Sequence, residues 1–394
     1  MMFRHLFKLI WNKRKQNFLF LSEILVSFMV IFAVFSFLTF YYQNYSKPLG
    51  FDYKKVWSIS YDNGLLTKNR DSLNIFYDNL YKSLKAMPQI EEVTYTGANF
   101  PYSNSTMSTG LNSNGKKFNP VNSYVVGADY QKVWNIKLVA GRWFLPEDAV
   151  TKNKNFIINE TLKKQMFGEG DAIGKLIGDY DDKEKMKIIG VVQDIKANGD
   201  FWPAGNAMFT RLDTGYFRNN SHILVKVRDG ADATFESQLY KFMTNTMKNS
   251  VEIQHLSEMR DAKNEVTIIP MVIFIIIASF LIINVALGLF GVLWYNINKR
   301  RSEIGLRRAI GASGSSVSLQ LVMEAMILAT MSLMVGCFFA IQFPLLSVFN
   351  IPASVYIVAM LLSILFIYLL VFACSLYPGK QAAGIHPAIA LHEE

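Results

Sequence analysis

The sequence predicts a membrane protein: four transmembrane helices plus a large extracytoplasmic α+β domain, a split β-α-β unit with a β-rich insertion. Three observations predict it. Of the 394 residues, 51% are hydrophobic, a balance that does not fit a single soluble domain. Four apolar runs, at 18–42, 266–295, 317–343 and 354–376, reach the roughly 20 residues a helix needs to cross a bilayer. Between the first two runs lies a polar stretch of roughly 220 residues, long enough for one or two globular domains with their own cores.

The first element, 1–16, places Met2, Phe3, Leu6, Leu9 and Ile10 at helical spacing, with basic residues filling much of the rest. That pattern predicts an amphipathic helix lying on the inner leaflet. The first span, 17–42, is longer than a signal-peptide core of about 7–15 residues and ends in "TFYYQNY", with no small-residue cleavage site. It is expected to be a retained anchor.

The large domain, 43–265, opens β-α-β. "KVWSISYD" (55–62) reads as a strand. "DSLNIFYDNLYKSLKAM" (71–87) repeats apolar residues at Leu73, Phe76, Tyr77, Leu80, Tyr81 and Leu84, a helix period with Asp71 or Ser72 as the expected N-cap. "EEVTYTGAN" follows as a strand. The domain closes the same way, with "HILVKVR" (222–228), a helix over 232–247 and "VEIQHL" (251–256). The split α/β part therefore takes 43–121 and 216–265. The middle, 122–215, is rich in glycines and short strands, among them "NFIINE" and "KMKIIGVVQDI", with a short helix at 159–167.

The second span is set at 266–295, and its helix can run on into 296–308. Thirty residues make roughly 45 Å of helix, more than the hydrocarbon core, so it projects or tilts. The loop 296–316 follows, with Lys299, Arg300, Arg301, Arg307 and Arg308, and with Gly311 and Gly314 fitting a helix end and turn. Then come the third span at 317–343, an uncharged loop at 344–353, the fourth span at 354–376 and a tail at 377–394. Lys and Arg precede the first span and fill the 296–316 loop, so both termini and that loop are expected in the cytoplasm and the large domain outside.

Chemical motifs are scarce. "GDAIGKLI" (170–177) looks like a phosphate loop but has Glu169 and Leu176 where Gly and Ser/Thr are required, and it reads as a turn. The histidines His5, His222, His255, His386 and His392 show no metal spacing. Asp179, Asp181, Asp182 and Glu184 lack the glycine and terminal Glu of a calcium loop and read as a solvated hairpin tip. Cys337 and Cys374 fall inside spans, where a thiol acts as a small hydrophobe. No catalytic constellation, metal site or cofactor site is expected on this chain, and no nucleic-acid partner. Intramembrane polar residues are Glu23, Asn284 and Glu324. Both glutamates lie near the cytoplasmic ends of their spans and are expected to pair with basic residues of the loop, and Asn284 to hydrogen-bond between helices.

"RRSEIGLRRAIGAS", then "QLVMEAMIL", then "YPGKQAAGIHPAIALHEE" resemble the C-terminal region of MacB/FtsX/LolC-type ABC transporter permeases. Arg300, Arg301, Glu303, Ile304, Gly305, Arg308, Ala309, Gly311, Ala312 and Glu324 match that pattern, as do Pro378, Ala382, Pro387, Ala390 and Leu391. "AGRWFLPED", "NFIINETLKKQMFG", "DAIGK" and "IIGVVQDI" resemble the MacB-like periplasmic core. The resemblance implies the type VII ABC permease fold, in the inner membrane of a bacterium, and on the MacB-like branch without a fused ATPase. It implies a porter-like subdomain at 43–121 and 216–265 beside a β-rich one. It implies that 300–312, Arg307 included, is the coupling helix of a dimer of permeases, this chain with a second copy or a related chain. Each chain then recruits a cytoplasmic ABC ATPase that carries the ATP and Mg, since no Walker motif occurs here. The expected mechanism is mechanotransmission to the periplasmic side, for export of a peptide, toxin or antibiotic-like substrate, with a periplasmic adaptor and outer-membrane channel as candidate partners. Alternatives within the family are lipoprotein extraction of the LolC/LolE type and FtsX-like regulation of a periplasmic hydrolase or sensing of an antimicrobial peptide.

Overall fold

The computed structural model describes residues 14–62, 69–113, 115–150, 154–178, 185–212 and 222–384. Three expectations fall outside the described residues: the amphipathic helix, which rests on 1–13; the acidic tip of Asp179, Asp181, Asp182 and Glu184; and the tail residues Pro387, Ala390 and Leu391.

In chain order the helices and strands are α1 (Arg14–Tyr45), β1 (Val56–Tyr61), α2 (Arg70–Lys85), β2 (Ile90–Thr96), β3 (Ser108–Ser113), β4 (Lys116–Val126), α3 (Tyr130–Trp134), β5 (Leu138–Gly141), β6 (Lys154–Asn159), α4 (Glu160–Phe167), β7 (Leu176–Ile177), β8 (Met186–Val192), β9 (Ala207–Arg211), β10 (His222–Val227), α5 (Ala233–Met247), β11 (Val251–His255), α6 (Leu256–Lys299), α7 (Arg301–Ala309), α8 (Gly314–Ala340), α9 (Gln342–Leu345) and α10 (Ala353–Ala383). They form two compact units, Asn44–Thr267 and the residues on either side of it.

In the first unit the sheet runs β11-β1-β10-β2-β4-β9-β6-β8-β5. β1 and β2 both pair antiparallel with β10, which lies between them, and β11 pairs antiparallel with β1. Each β-α-β is thus split by a strand of the other. Helix α2 begins two or three residues earlier than its apolar pattern suggests. Asn69, in extended conformation, accepts from the amides of Asp71 (2.9 Å) and Ser72 (3.2 Å), so Asn69 is the cap and Asp71 sits in the first turn. Leu73, Tyr77, Leu80 and Leu84 are buried against Phe235, Leu239, Met243 and Met247 of α5 and the sheet face of Ile59, Val93, Ile223 and Val225. Each such side chain contributes roughly 1.5–3 kcal/mol on burial.

In the sheet the insertion is paired to this half by the Thr96–Val126 bridge and continues as β4-β9-β6-β8-β5 with α4 against it. Phe156, Ile158, Leu162, Ile188 and Met208 make a core on one side. Tyr124, Trp134, Ile157, Val192 and Phe209 make another, which also takes in Phe51, Leu224 and Leu256. "GDAIGKLI" is a turn that leads into β7.

Among the described residues, four helices are long and apolar enough to cross a membrane: Phe18–Tyr45, Leu256–Lys299, Gly314–Leu345 and Ala353–Ala383. In the second unit, Phe20, Ile24, Phe28 and Phe32 of α1 pack with Ala325, Leu328, Ala329 and Leu333 of α8 and Tyr356, Ala359, Ile367 and Val371 of α10. A Cβ on Gly336 would lie 2.5 Å from Cδ1 of Phe28, so the ring occupies the space glycine leaves. α6 differs from the sequence expectation at both ends. It has 44 residues, about 66 Å at 1.5 Å per residue, and starts at Leu256 rather than 266. It stops at Lys299 rather than running on, because Arg300 leaves helical geometry (φ −105°, ψ 17°) and a separate helix, α7, follows.

Candidate functional site

The candidate residues 300–312 fold as α7 between a break at Arg300 and a tight turn. Gly311 has φ +103°, a left-handed value that glycine adopts at no steric cost and that ends the helix. Ser313 then caps α8, accepting from the amide of Ser316 at 3.2 Å. Gly314 does not serve as a helix end, as the sequence suggested, but opens α8. A Cβ there would meet Nη1 of Arg308 at 2.6 Å and the Ala383 carbonyl at 3.0 Å.

The charges on α7 are arranged inward. Arg300 donates from Nη1 to Oε2 of Glu324 (2.6 Å) and from Nε to Oε2 of Glu303 (3.0 Å). Arg307 donates to Oε1 of Glu303 (2.7 Å) and to Oε1 of Gln320 (2.9 Å), and Gln320 donates on to Oε1 of Glu324 (3.1 Å). Burial opposes the Arg300 charge, but the hydrogen bonds to Glu303 and Glu324 outweigh it and raise its pKa above the ordinary guanidinium value. Arg308 donates to the Ala383 carbonyl in the last turn of α10. The network thus pins α7 to both α8 and α10. Ile304 packs with Ile297, Val317 and Ala382 in a small apolar cluster that Ala312 joins, and Gly305 is buried on the same helix. Arg301 is half-buried and Ala309 exposed.

α7 and its C-cap leave two large apolar side chains in the open. Leu306 is 55% exposed and Ile310, which caps the C-terminal end of α7, 79% exposed, four positions apart in sequence. The charge and motif pattern of the sequence points to neither, nor to Gln320 and Ala383. An i, i+4 apolar pair in an arginine-rich segment was the available signal for the first two.

The other intramembrane candidates behave differently. Glu23 lies against the second candidate span rather than a loop arginine. A Cβ on Gly288 would fall 1.9 Å from its Oε1. Asn284 does not bridge helices. Its Nδ2 donates to the Phe280 carbonyl of its own helix (2.8 Å), a local bond that a polar side chain can make within a helix.

The apolar helices and the split α/β domain define a membrane protein with a large extracytoplasmic domain. Residues 18–240 match the MacB-like periplasmic core domain, and residues 273–387 match the FtsX-like permease C-terminal region. The chain belongs to the MacB/FtsX family of ABC transporter permeases. It is 24% identical over 292 residues to the macrolide export ATP-binding/permease protein MacB of Bdellovibrio bacteriovorus, a match spanning 69% of this chain and 44% of that one. Against the protein of the same name from Neisseria gonorrhoeae it is 25% identical over 258 residues, 62% of this chain and 37% of the relative. The chain spans less than half the length of these relatives. Among solved structures, the periplasmic region of MacB from Actinobacillus actinomycetemcomitans aligns over 53% of this chain and 92% of its own, at 20% identity and TM-score 0.38. The extracellular domain of the transporter YknZ from Gram-positive bacteria aligns over 50% and 99%, at 13% identity and TM-score 0.35.

Proposed function

We propose that this chain is the membrane subunit of an ABC transporter and that α7 is where a separate cytoplasmic ATPase subunit, which carries the ATP and Mg, pushes on it. The observation that carries this reading is the division of labour on α7. Arg300 and Arg307 are bonded to α8 and Arg308 to α10, with Glu303 tying Arg300 to Arg307, while Leu306 and Ile310 stand exposed. A helix held by its charges, with an apolar pair left exposed, suits transmission of force from a docked partner, because the apolar pair seats in a groove and the ion pairs carry the displacement into two spans at once. The positive flanks 4–15 and 299–308 support a cytoplasmic position for α7 and both termini, in the inner membrane.

In this reading two permeases pair, each with its ATPase. ATP-driven closure inside moves the helices that cross the membrane and reshapes the outer domain, and substrate does not pass through the bilayer core. The names of the relatives, macrolide export ATP-binding/permease proteins, favour export as the task. Capture of the tagged chain in mild detergent, with mass spectrometry of what accompanies it, tests the assembly. The reading expects a Walker-motif ATPase in the sample, and a chain that emerges alone while other membrane complexes survive the same conditions contradicts it.

A further inference from the structure

The segment 193–202, just after β8, carries an unusual concentration of buried polar groups that no catalytic role uses. Lys196 is 3% exposed, and its Nζ donates to the carbonyls of Asn44 (2.6 Å), in the last turn of α1, and Lys47 (3.3 Å). It is a cation seated on the C-terminal end of a helix, where carbonyls lack intrahelical partners. Burial lowers its pKa. Phe201 stacks on Tyr45 at the same helix end, with ring centres 5.3 Å apart.

The neighbouring residues reach a second helix. Asp200 is 3% exposed and forms an ion pair with Arg260, whose guanidinium lies over the Tyr53 ring at 4.8 Å. Tyr102 also donates to Asp200, at 3.3 Å. The Asp200 amide donates to Oδ1 of Asn264 (2.9 Å), and Nε1 of Trp202 donates to Oγ1 of Thr267 (3.0 Å). Arg260, Asn264 and Thr267 are spaced i, i+4, i+7 along α6, one face of its first turns. Gly199, at φ +114°, lets the chain turn between the two attachments, and a Cβ there would crowd Oδ1 of Asn264 at 3.1 Å. The segment is rooted in the insertion by Asp194, which accepts from Nδ2 of Asn159 (2.6 Å) and from the amide (2.9 Å) and hydroxyl (2.6 Å) of Thr161.

We propose that 193–202 is a two-point joint that locks the outer end of α1 to the first turns of α6 and ties both to the insertion. A buried lysine on helix carbonyls and a buried aspartate on an arginine are costly to leave half made, so the two attachments hold or fail together. Lys196 and Asp200 act here as positioning residues. That the joint passes ATP-driven movement into the insertion rests on the function proposed above, whereas its existence as one cooperative unit does not.

Hydrogen exchange of the full chain in lipid nanodiscs tests the unit. Lys196→Met keeps the side-chain volume and removes the cation. Asp200→Asn keeps the shape and removes the charge. Each variant is expected to raise exchange tenfold or more both at 44–50 and at 258–267, with 70–85 unchanged. If each loosens only the segment it touches, the joint is two unrelated contacts and the proposal is wrong. Trp202→Phe, which deletes one hydrogen bond and keeps the fold, must show the same paired response on a smaller scale, and a response confined to 258–267 counts against the joint. With a copurifying ATPase, Asp200→Asn is expected to leave basal ATP hydrolysis intact and to cut the nucleotide-dependent change in exchange over 138–192 at least fivefold. A full nucleotide response in that variant refutes transmission through the joint. Absence of any ATPase refutes the functional reading and leaves the exchange test to decide the joint.

Discussion

Arg300 and Glu324 meet with Nη1 2.6 Å from Oε2, their side chains only 16% and 17% exposed. Twenty-four positions separate them in sequence, yet this pair fixes the start of α7 to the body of α8. An ion pair this well covered is weak evidence for stability in itself, but removing one partner strands the other.

Arg300→Met and Glu324→Leu should therefore each destabilise the membrane unit by about 3 kcal/mol, and the double variant Arg300→Met/Glu324→Leu by clearly less than their sum. Thermal unfolding of the four proteins in one detergent measures the cycle. Additive losses would show that the pair is not a coupled contact.

Gly336 should resist even alanine. The added Cβ would sit 2.5 Å from Cδ1 of Phe28, a fully buried ring stacked toward Phe32 at 6.2 Å, so the ring cannot step aside cheaply. Gly336→Ala is expected to cost about 1–3 kcal/mol, and Phe28→Leu in the same chain to recover part of it. Equal melting temperatures for wild type and Gly336→Ala would contradict the packing.

Much of this fold was legible in sequence, for local reasons. The alternating four- and three-residue spacing of Leu73, Tyr77, Leu80 and Leu84 marks α2 because a helix buries one face. "NFIINE" and "KMKIIGVVQDI" mark β6 and β8 because both strands lie inside the sheet. The start of α6 was not legible. "LSEMRDAKNE" is too polar to read as part of a span, and the contacts that hold it, from Asp200 to Arg260 and to Asn264, come from some sixty positions away. The site shows the same limit. The arginines and Glu303 stand out as a charged cluster, but their bonds to Gln320, Glu324 and Ala383 depend on packing between helices, which no local pattern encodes.

Acid should weaken the outer domain through Asp148. Hydrogen bonds from Arg142 hold its carboxyl down to about 2, with the Leu145 amide and Asn155 adding to the effect while burial opposes it. A carboxylate with a lowered folded-state pKa contributes stability that is complete above its unfolded value near 4 and lost as pH falls from about 4 to about 2. Wild type should melt higher than Asp148→Asn at pH 6, and the gap should close below pH 4. A gap that is constant with pH would show that Asp148 acts only through its shape.

Leu306→Asp and Ile310→Asp place a charge at exposed positions of α7 and its C-cap without touching its ion pairs, so neither should lower the melting temperature by more than about 0.5 kcal/mol equivalent. Each should instead weaken retention of the ATPase on the tagged chain. Glu303→Lys and Arg308→Glu break the inner network and should leave the ATPase attached less tightly and its hydrolysis uncoupled from transport. Normal copurification and coupled hydrolysis in these two would remove the network from the mechanism.

The central claim is that a separate ATPase drives this chain through α7. ATP hydrolysis by the purified assembly in liposomes, compared between wild type and Ile310→Asp at equal membrane-subunit content, tests it most directly. The account predicts hydrolysis that copurifies with wild type and falls at least tenfold in Ile310→Asp, while the variant keeps its melting temperature. Equal hydrolysis in both, with the ATPase still bound, would contradict it.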